Sequence, residues 1–198
     1  MAYFNTRRNS DAPADRYGRA LSLVRLSRGD EAERLFRELV AENPHVIAYR
    51  IGQAEALMSS GLDEQAMGVY QEALRLFPRN VPLVISYADA LIAAGEPGRA
   101  HALLLDLLNN VRPTPAQIEL IARAANAEGD VVSAYHYMSE YYASIGDLRL
   151  AISQLRLALE SPEVTAIERV RFQARIEEFI EYLPEEERPR AGARNRDP

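Results

Sequence analysis

The chain has 198 residues, of which 47% are hydrophobic and 26% are charged, as is typical of a globular domain. A formal net charge of −6 argues against a dominant nucleic-acid-binding surface, and the absence of cysteine excludes disulfides and thiol chemistry. No apolar run approaches the ~20 residues that a membrane span needs. The opening stretch MAYFNTRRNSDAP lacks the apolar centre of a secretory signal. We expect residues 1–12 to be a flexible N-terminal segment.

From residue 13 onward the sequence repeats at a constant interval, over 13–46, 47–80 and 81–114. Alanines mark the period at two positions, one in each half of the repeat: Ala20, Ala54 and Ala88, then Ala32, Ala66 and Ala100. Small side chains at fixed positions allow two helices to approach closely. A constant period of about 34 residues is typical of stacked helix–turn–helix units.

Glycine and proline predict where these helices end. Glycines that can adopt the left-handed conformation stop the helices, at Gly61, Gly95, Gly129 and Gly146. Prolines separate successive hairpins, at Pro44, Pro78 and Pro113. No stretch alternates with a period of two, so no strand is predicted.

The pattern shifts by half a repeat before its last clear copy. That copy starts at Val132, whereas the regular register predicts residue 115, and the interval has room for one extra helix over about 115–128. A further helix over about 165–182 is expected to cap the array. The sequence therefore predicts about ten antiparallel helices over residues 13–183, and the polar, proline-rich tail 184–198 is expected to be disordered.

The stretch IAYRIGQAEALMSSGLDEQAMGVYQEALRLFPRN, residues 47–80, resembles the tetratricopeptide repeat. Arg50 stands where that family usually has tryptophan. The resemblance implies an all-α superhelical solenoid, with a half-repeat insertion, that acts as a protein-interaction module. It also implies a concave groove lined by the first helix of each hairpin.

In the family's frame the groove lining includes Tyr17, Leu21, Val24, Arg25, Ile51, Glu55, Met58, Ile85, Asp89, Ile92, Glu119, Arg123, Asn126, His136 and Glu140. The alternative for each residue is an ordinary solvated position. Some family members grip a peptide carboxylate with Lys and Asn at fixed groove positions, and here those positions hold Tyr17, Ile51 and Ile85, then Leu21, Glu55 and Asp89, so that mode of binding is not expected. A lining of Ile, Met and Tyr with Glu and Asp favours an extended or helical apolar segment that has some basic character.

Catalytic motifs are missing from the sequence. It contains no HExxH, GxSxG, phosphate-binding loop or GxGxxG, so we expect neither a catalytic residue nor a cofactor in this chain. His136 and Glu140 have the i, i+4 spacing of metal ligands but lack a third ligand, and a groove-lining pair is the favoured interpretation. Tyr135 and Tyr142 are predicted to pack between helices.

A narrower resemblance extends over LIARAANAEGDVVSAYHYMSEYYASIGDLRLAISQLRLAL, residues 120–159, and the following RFQARIEEF. These segments are similar to the C-terminal repeat domain of bacterial periplasmic HExxH zinc metalloproteases of the beta-barrel assembly-enhancing type. The resemblance implies a periplasmic location, partners in outer-membrane protein assembly, and a zinc-binding protease domain upstream. The alternative is a free-standing cytoplasmic tetratricopeptide scaffold or co-chaperone. Neither interpretation implies nucleic-acid binding or membrane insertion.

Overall fold

A computed structural model describes residues 12–109 and 111–188 of the chain, and this part contains ten α-helices and no strand. The predicted all-α class, the number of helices and the extra helix are thereby confirmed. The helices are α1 Pro13–Arg25, α2 Gly29–Glu42, α3 Ile47–Ser59, α4 Asp63–Leu76, α5 Val81–Ala93, α6 Pro97–Leu108, α7 Pro115–Glu128, α8 Val131–Ser144, α9 Leu148–Glu160 and α10 Ala166–Tyr182.

The chain divides into two compact units, Met1–Glu96 and Pro97–Pro198. Unit 1 contains α1 to α5, and unit 2 contains α6 to α10. Within unit 1, α3 contacts α1 and α5 as well as its chain neighbours α2 and α4. Short connections make consecutive helices antiparallel, so α1, α3 and α5 run in the same direction.

The turns after the first helix of each hairpin share one backbone conformation. Ser27, Gly61, Gly95 and Gly129 are spaced by one full repeat and have φ values of 56°, 72°, 78° and 95°. This left-handed residue ends the helix and places the next amide on a carbonyl five residues back, as in the 2.9 Å bond from Arg28 to Leu23. Gly146, with φ of 87°, repeats the turn half a period later. It marks the shift that α7 introduces.

Small residues set the spacing between the helices of unit 1. The repeat alanines, including Ala54 and Ala66, are fully buried in the structure. Gly52 is more demanding, because a Cβ atom there would lie 2.3 Å from the ring of Phe36, which fills the space between α2 and α3. The buried Phe36 can occupy this position only because α3 presents a bare backbone to it.

The end of unit 2 is fixed by a capping box and a short turn. The amide of Glu168 donates to Thr165 Oγ1 at 3.3 Å, and the Thr165 amide donates to Glu168 Oε2 at 2.9 Å, which starts α10. Residues 184–188 belong to the predicted tail, but Glu185–Glu187 form a 3-10 turn and Glu187 pairs with Arg149 at 2.7 Å. Residues 1–11 of the predicted flexible segment and 189–198 of the predicted tail lie outside the described residues.

Candidate functional site

Three neighbouring helices of unit 1 carry the first part of the predicted lining. On each of them the side chains are spaced i, i+4, i+7, which places them on one side of the helix. We call this surface the front face of unit 1. Its members are half-buried or exposed in the structure: Tyr17, Leu21, Val24 and Arg25 on α1, Ile51, Glu55 and Met58 on α3, and Ile85, Asp89 and Ile92 on α5.

Aromatic rings lie against this face from two sides. Tyr17 packs on Tyr49 with ring centroids 5.5 Å apart, and on the edge of Phe36 at 5.9 Å. Further along, Tyr70 stacks on Tyr87 at 5.2 Å, and Gln71 donates to the Tyr87 hydroxyl at 3.3 Å. The first group of contacts joins residues of α1, α2 and α3, and the second joins residues of α4 and α5. The sequence identified Tyr17 as a lining residue but did not identify the rings that it contacts.

Glu55 is the carboxylate at the middle of this arrangement. It is half-buried, and among the described residues it makes no hydrogen bond and no ion pair. Burial raises the pKa of Glu55 above its ordinary value. Burial also raises the pKa of Tyr17 and of Tyr70, and the negative charge of Glu55 adds to both shifts. The charge of Glu55 therefore acts on two tyrosines, and no cation among the described residues pairs with it.

The most buried arginines of unit 1 pair with carboxylates other than Glu55. Arg16 donates to Glu42 from both of its terminal nitrogens, one of them at 2.7 Å. Arg50 pairs with Glu72 at 3.8 Å and donates to the Pro44 carbonyl at 3.2 Å. Neither of them acts on Glu55.

In unit 2, the predicted lining residues His136 and Glu140 on α8 meet the last helix of the described chain. The His136 ring stacks on Phe172 of α10 with centroids 5.3 Å apart. Arg175 donates from Nε and Nη2 to the two Glu140 oxygens at 3.1 Å and 2.9 Å. Its guanidinium also lies 4.4 Å from the centroid of Phe179. Both predicted residues are therefore half-covered by the protein's own helix α10.

The surroundings of the His136 imidazole disfavour its charged form. Burial is the main cause that lowers the His136 pKa, and the nearby Arg171 lowers it further. The Nδ1 atom of His136 is buried and has no hydrogen-bond partner among the described residues. An open cavity of about 410 Å³ borders this ring, and Arg171 and Arg175 are among its other lining residues.

The remaining predicted lining residues of unit 2 lie on α7, where Glu119, Arg123 and Asn126 are exposed. Because α7 and α8 are antiparallel neighbours, these three residues and the pair on α8 belong to helices of opposite direction. The full predicted lining stays a prediction. Tyr135 and Tyr142 pack against the buried core of unit 2, as the sequence predicts.

Sequence reasoning did not identify Arg175. It lies 35 residues after Glu140, and no periodic pattern connects the two positions. Within the described part of the chain, no three His, Asp or Glu side chains come together as a metal site. No helix there is long and apolar enough to cross a bilayer.

Comparison with known proteins places this architecture among tetratricopeptide repeats. A family model described as a tetratricopeptide repeat matches residues 64–124. A thermophilic tetratricopeptide repeat protein of Thermus thermophilus is 25% identical, with a TM-score of 0.51 over 84% of this chain and 82% of that one. No curated protein matches the sequence.

Two further solved structures are similar in fold at lower identity. MamA from Desulfovibrio magneticus RS-1 is 12% identical with a TM-score of 0.59, over 87% of this chain and 95% of that one. PilW, a type IV pilus biogenesis factor, is 14% identical with a TM-score of 0.58, over 88% and 96%. The chain therefore has the tetratricopeptide-type fold, which is the fold of a protein-interaction module.

Proposed function

We propose that this chain is a protein-interaction domain, and that the front face of unit 1 binds an apolar segment carrying basic side chains. The observation that carries the proposal is the chemistry of this face. Half-exposed Ile51, Met58, Ile85 and Ile92 share this face with Glu55, a partly buried carboxylate that has no cation among the described residues.

The two kinds of side chain supply different parts of the binding energy. Removing apolar surface from water contributes about 25 cal/mol per Å², so the isoleucines and Met58 favour apolar side chains of the partner. Glu55 and Asp89 favour a positive charge and fix the register of the bound segment. An acidic partner would place like charges against a desolvated carboxylate, which is unfavourable.

Selection of displayed random peptides tests this function directly. The wild-type chain should enrich peptides that combine apolar residues with arginine or lysine. Ile85→Glu should lose this enrichment while keeping its helical circular dichroism, because Ile85 is only half-buried on α5. The matched control is Leu76→Glu at an exposed position on α4, which should enrich the same peptides as wild type.

Two results would overturn the proposal. One is the enrichment of acidic peptides. The other is an enrichment that Ile85→Glu leaves unchanged in a folded protein. If Ile85→Glu unfolds the chain, Glu55→Arg answers the question instead, since an exchanged charge on the face should reverse the preference to acidic peptides.

We further propose that the chain is the repeat domain of a periplasmic zinc metalloprotease, where it docks the outer-membrane assembly machinery or its clients. The support is the sequence resemblance over residues 120–159, in which the half-repeat shift and the AYHYMSEYY helix occur together. In this proposal zinc and the catalytic residues belong to a separate protease domain. An HExxH segment upstream in the same reading frame would support it. An isolated reading frame would favour the cytoplasmic scaffold or co-chaperone instead.

Catalysis is not part of the proposed role of this chain. The purified protein should not hydrolyse unfolded protein substrates with or without added zinc. Hydrolysis that a chelator abolishes would contradict this and would direct attention to His136 and Glu140.

A further inference from the structure

Helices α3 to α5 of unit 1 and helices α8 to α10 of unit 2 repeat the same three-helix arrangement. The turn glycines Gly61 and Gly146 are 85 residues apart. The first residues of α5 and α10, Val81 and Ala166, are separated by the same 85 residues. One offset therefore relates each position of the unit 1 arrangement to a position of the unit 2 arrangement.

The two arrangements share a glutamate but differ in the residue that is available to pair with it. Glu55 on α3 corresponds to Glu140 on α8, and Ala90 on α5 corresponds to Arg175 on α10. In unit 2, Arg175 donates to the two oxygens of Glu140 at 3.1 Å and 2.9 Å. In unit 1 a methyl group stands at the position of that arginine, and Glu55 makes no hydrogen bond or ion pair among the described residues.

We propose that the partner segment of the front face of unit 1 carries an arginine, and that its guanidinium binds Glu55 as Arg175 binds Glu140. The inference rests on the proposed function of this face and narrows it, because arginine, and not lysine, is then the basic residue that the face selects. The arginine belongs to a second protein, since α5 has alanine where α10 supplies the cation.

A guanidinium suits this carboxylate better than an ammonium group does. Arg175 uses Nε and Nη2, two donors that lie in one plane, for the two oxygens of Glu140. The ammonium of lysine has no such planar pair of donors, and it is more strongly hydrated, so it loses more when it meets a half-buried carboxylate. The burial that raises the pKa of Glu55 therefore favours arginine over lysine.

The surroundings of Glu55 favour the same group. Glu55 and Asp89 both raise the pKa of the Tyr70 phenol, so two carboxylates contribute negative potential at this ring. Glu55 also raises the pKa of the half-buried Tyr17, which supplies an aromatic surface near the carboxylate. Guanidinium groups bind well where a carboxylate and an aromatic ring occur together, because the planar cation pairs with one and stacks on the other.

Exchange of arginine for lysine in a bound peptide tests this specificity. The probe is the peptide most enriched in the selection on wild-type protein, synthesised once with its arginines and once with lysine in their place. The lysine version should bind wild-type protein about tenfold more weakly, because a charge-assisted hydrogen bond is lost. On Glu55→Gln the two versions should bind about equally. Glu64→Gln, at an exposed position on α4, is the matched control and should keep the tenfold difference.

A second variant supplies the arginine from within the chain. Ala90→Arg places a guanidinium where α10 has Arg175, so it should pair with Glu55, lower its raised pKa and abolish binding of the arginine peptide. Ala93→Arg, at an exposed position on the same helix, is the control and should leave both properties unchanged. Circular dichroism shows whether each variant is folded. If Ala90→Arg does not fold, the two peptides on Glu55→Gln decide the question.

Three results would overturn the proposal. The first is a lysine version that binds wild-type protein as tightly as the arginine version, or a selection that yields lysine peptides without arginine. The second is a preference for arginine that persists in Glu55→Gln. The third is a folded Ala90→Arg protein that binds the arginine peptide like wild type. In each case, enrichment of basic peptides that Ile85→Glu abolishes would leave the proposed function standing, whereas enrichment of acidic peptides would overturn both.

Discussion

The two units place a glutamate at the same repeat position and surround it differently. In unit 2, Glu140 is neutralised by Arg175 from the helix that ends the array. In unit 1, Glu55 lies among tyrosines and isoleucines without a described cation, and burial raises its pKa. The difference indicates that one position serves two purposes. In unit 2 the glutamate binds an arginine of the last described helix. In unit 1 no described residue pairs with the glutamate, so it is available to a binding segment.

The largest effect is expected from disturbing the packing beneath the front face of unit 1. Gly52→Ala would place a Cβ 2.3 Å from the Phe36 ring, which in turn holds Tyr17. Overpacking of this kind costs ~1–3 kcal/mol in the free energy of unfolding. Gly68→Ala on α4, where a Cβ meets nothing within 4 Å, is the matched control and should gain ~0.5–1 kcal/mol. Urea unfolding measures both, and equal stabilities would contradict the packing described.

The next largest effect is expected from removing the arginine that pairs with Glu140 in unit 2. Arg175→Ala leaves Glu140 without its two hydrogen bonds and should cost ~1–2 kcal/mol. Arg149→Ala removes a more exposed pair with Glu187 and should cost at most about 1 kcal/mol. A loss for Arg175→Ala no larger than the loss for Arg149→Ala would mean that the contact between α8 and α10 does not depend on this arginine.

A smaller expected effect is the pH dependence of stability that His136 causes in unit 2. The folded-state pKa of His136 is lowered by burial, by Arg171 and by Arg175, while Glu140 and Glu168 oppose the shift. The contribution of neutral His136 to stability is therefore fully present above the ordinary histidine pKa of 6.5. It is lost as the pH falls through the lowered pKa of the folded state. His136→Gln should flatten the dependence of the unfolding midpoint between pH 7 and pH 5. His45→Gln, at an exposed loop position, should preserve it.

The smallest effect comes from Glu55 in unit 1, where the pH dependence of stability has the opposite sign. Burial raises the folded-state pKa of Glu55, so its stability contribution is present below the ordinary carboxyl value of 4.5 and is lost as pH rises through the raised value. Glu55→Gln should therefore slightly stabilise the chain at neutral pH, and this gain should vanish in acid. Glu119→Gln, on the exposed side of α7, is the control. A neutral-pH loss of stability in Glu55→Gln would show that the carboxylate has a cation after all.

The constant repeat period was enough to predict the helices, because each turn needs the same left-handed residue and each crossing the same small one. The extra helix at 115–128 coincides with α7, Pro115–Glu128. Ser27 shows the limit of this reasoning. It takes the position of Gly61 and Gly95 with φ of 56°, although its side chain gives no such signal.

The candidate site was predictable only as a set of helix positions. Spacing of i, i+4, i+7 identifies which side chains share a face, but it does not show which of them find partners. Arg175 reaches Glu140 across 35 residues, and Tyr70 stacks on Tyr87 across a helix crossing. These are tertiary contacts between side chains whose sequence separation has no fixed relation to the repeat. The contrast between Glu55 and Glu140 could not have been found without the structure.

The most direct test of the central claim is the pKa of Glu55, measured by NMR on carboxyl-labelled protein. The full chain should show a raised value, since burial disfavours the ionised form of Glu55. Addition of a selected peptide that combines apolar residues with arginine should lower it, because a paired guanidinium favours the ionised carboxylate. An unchanged Glu55 pKa at saturating peptide would contradict the account.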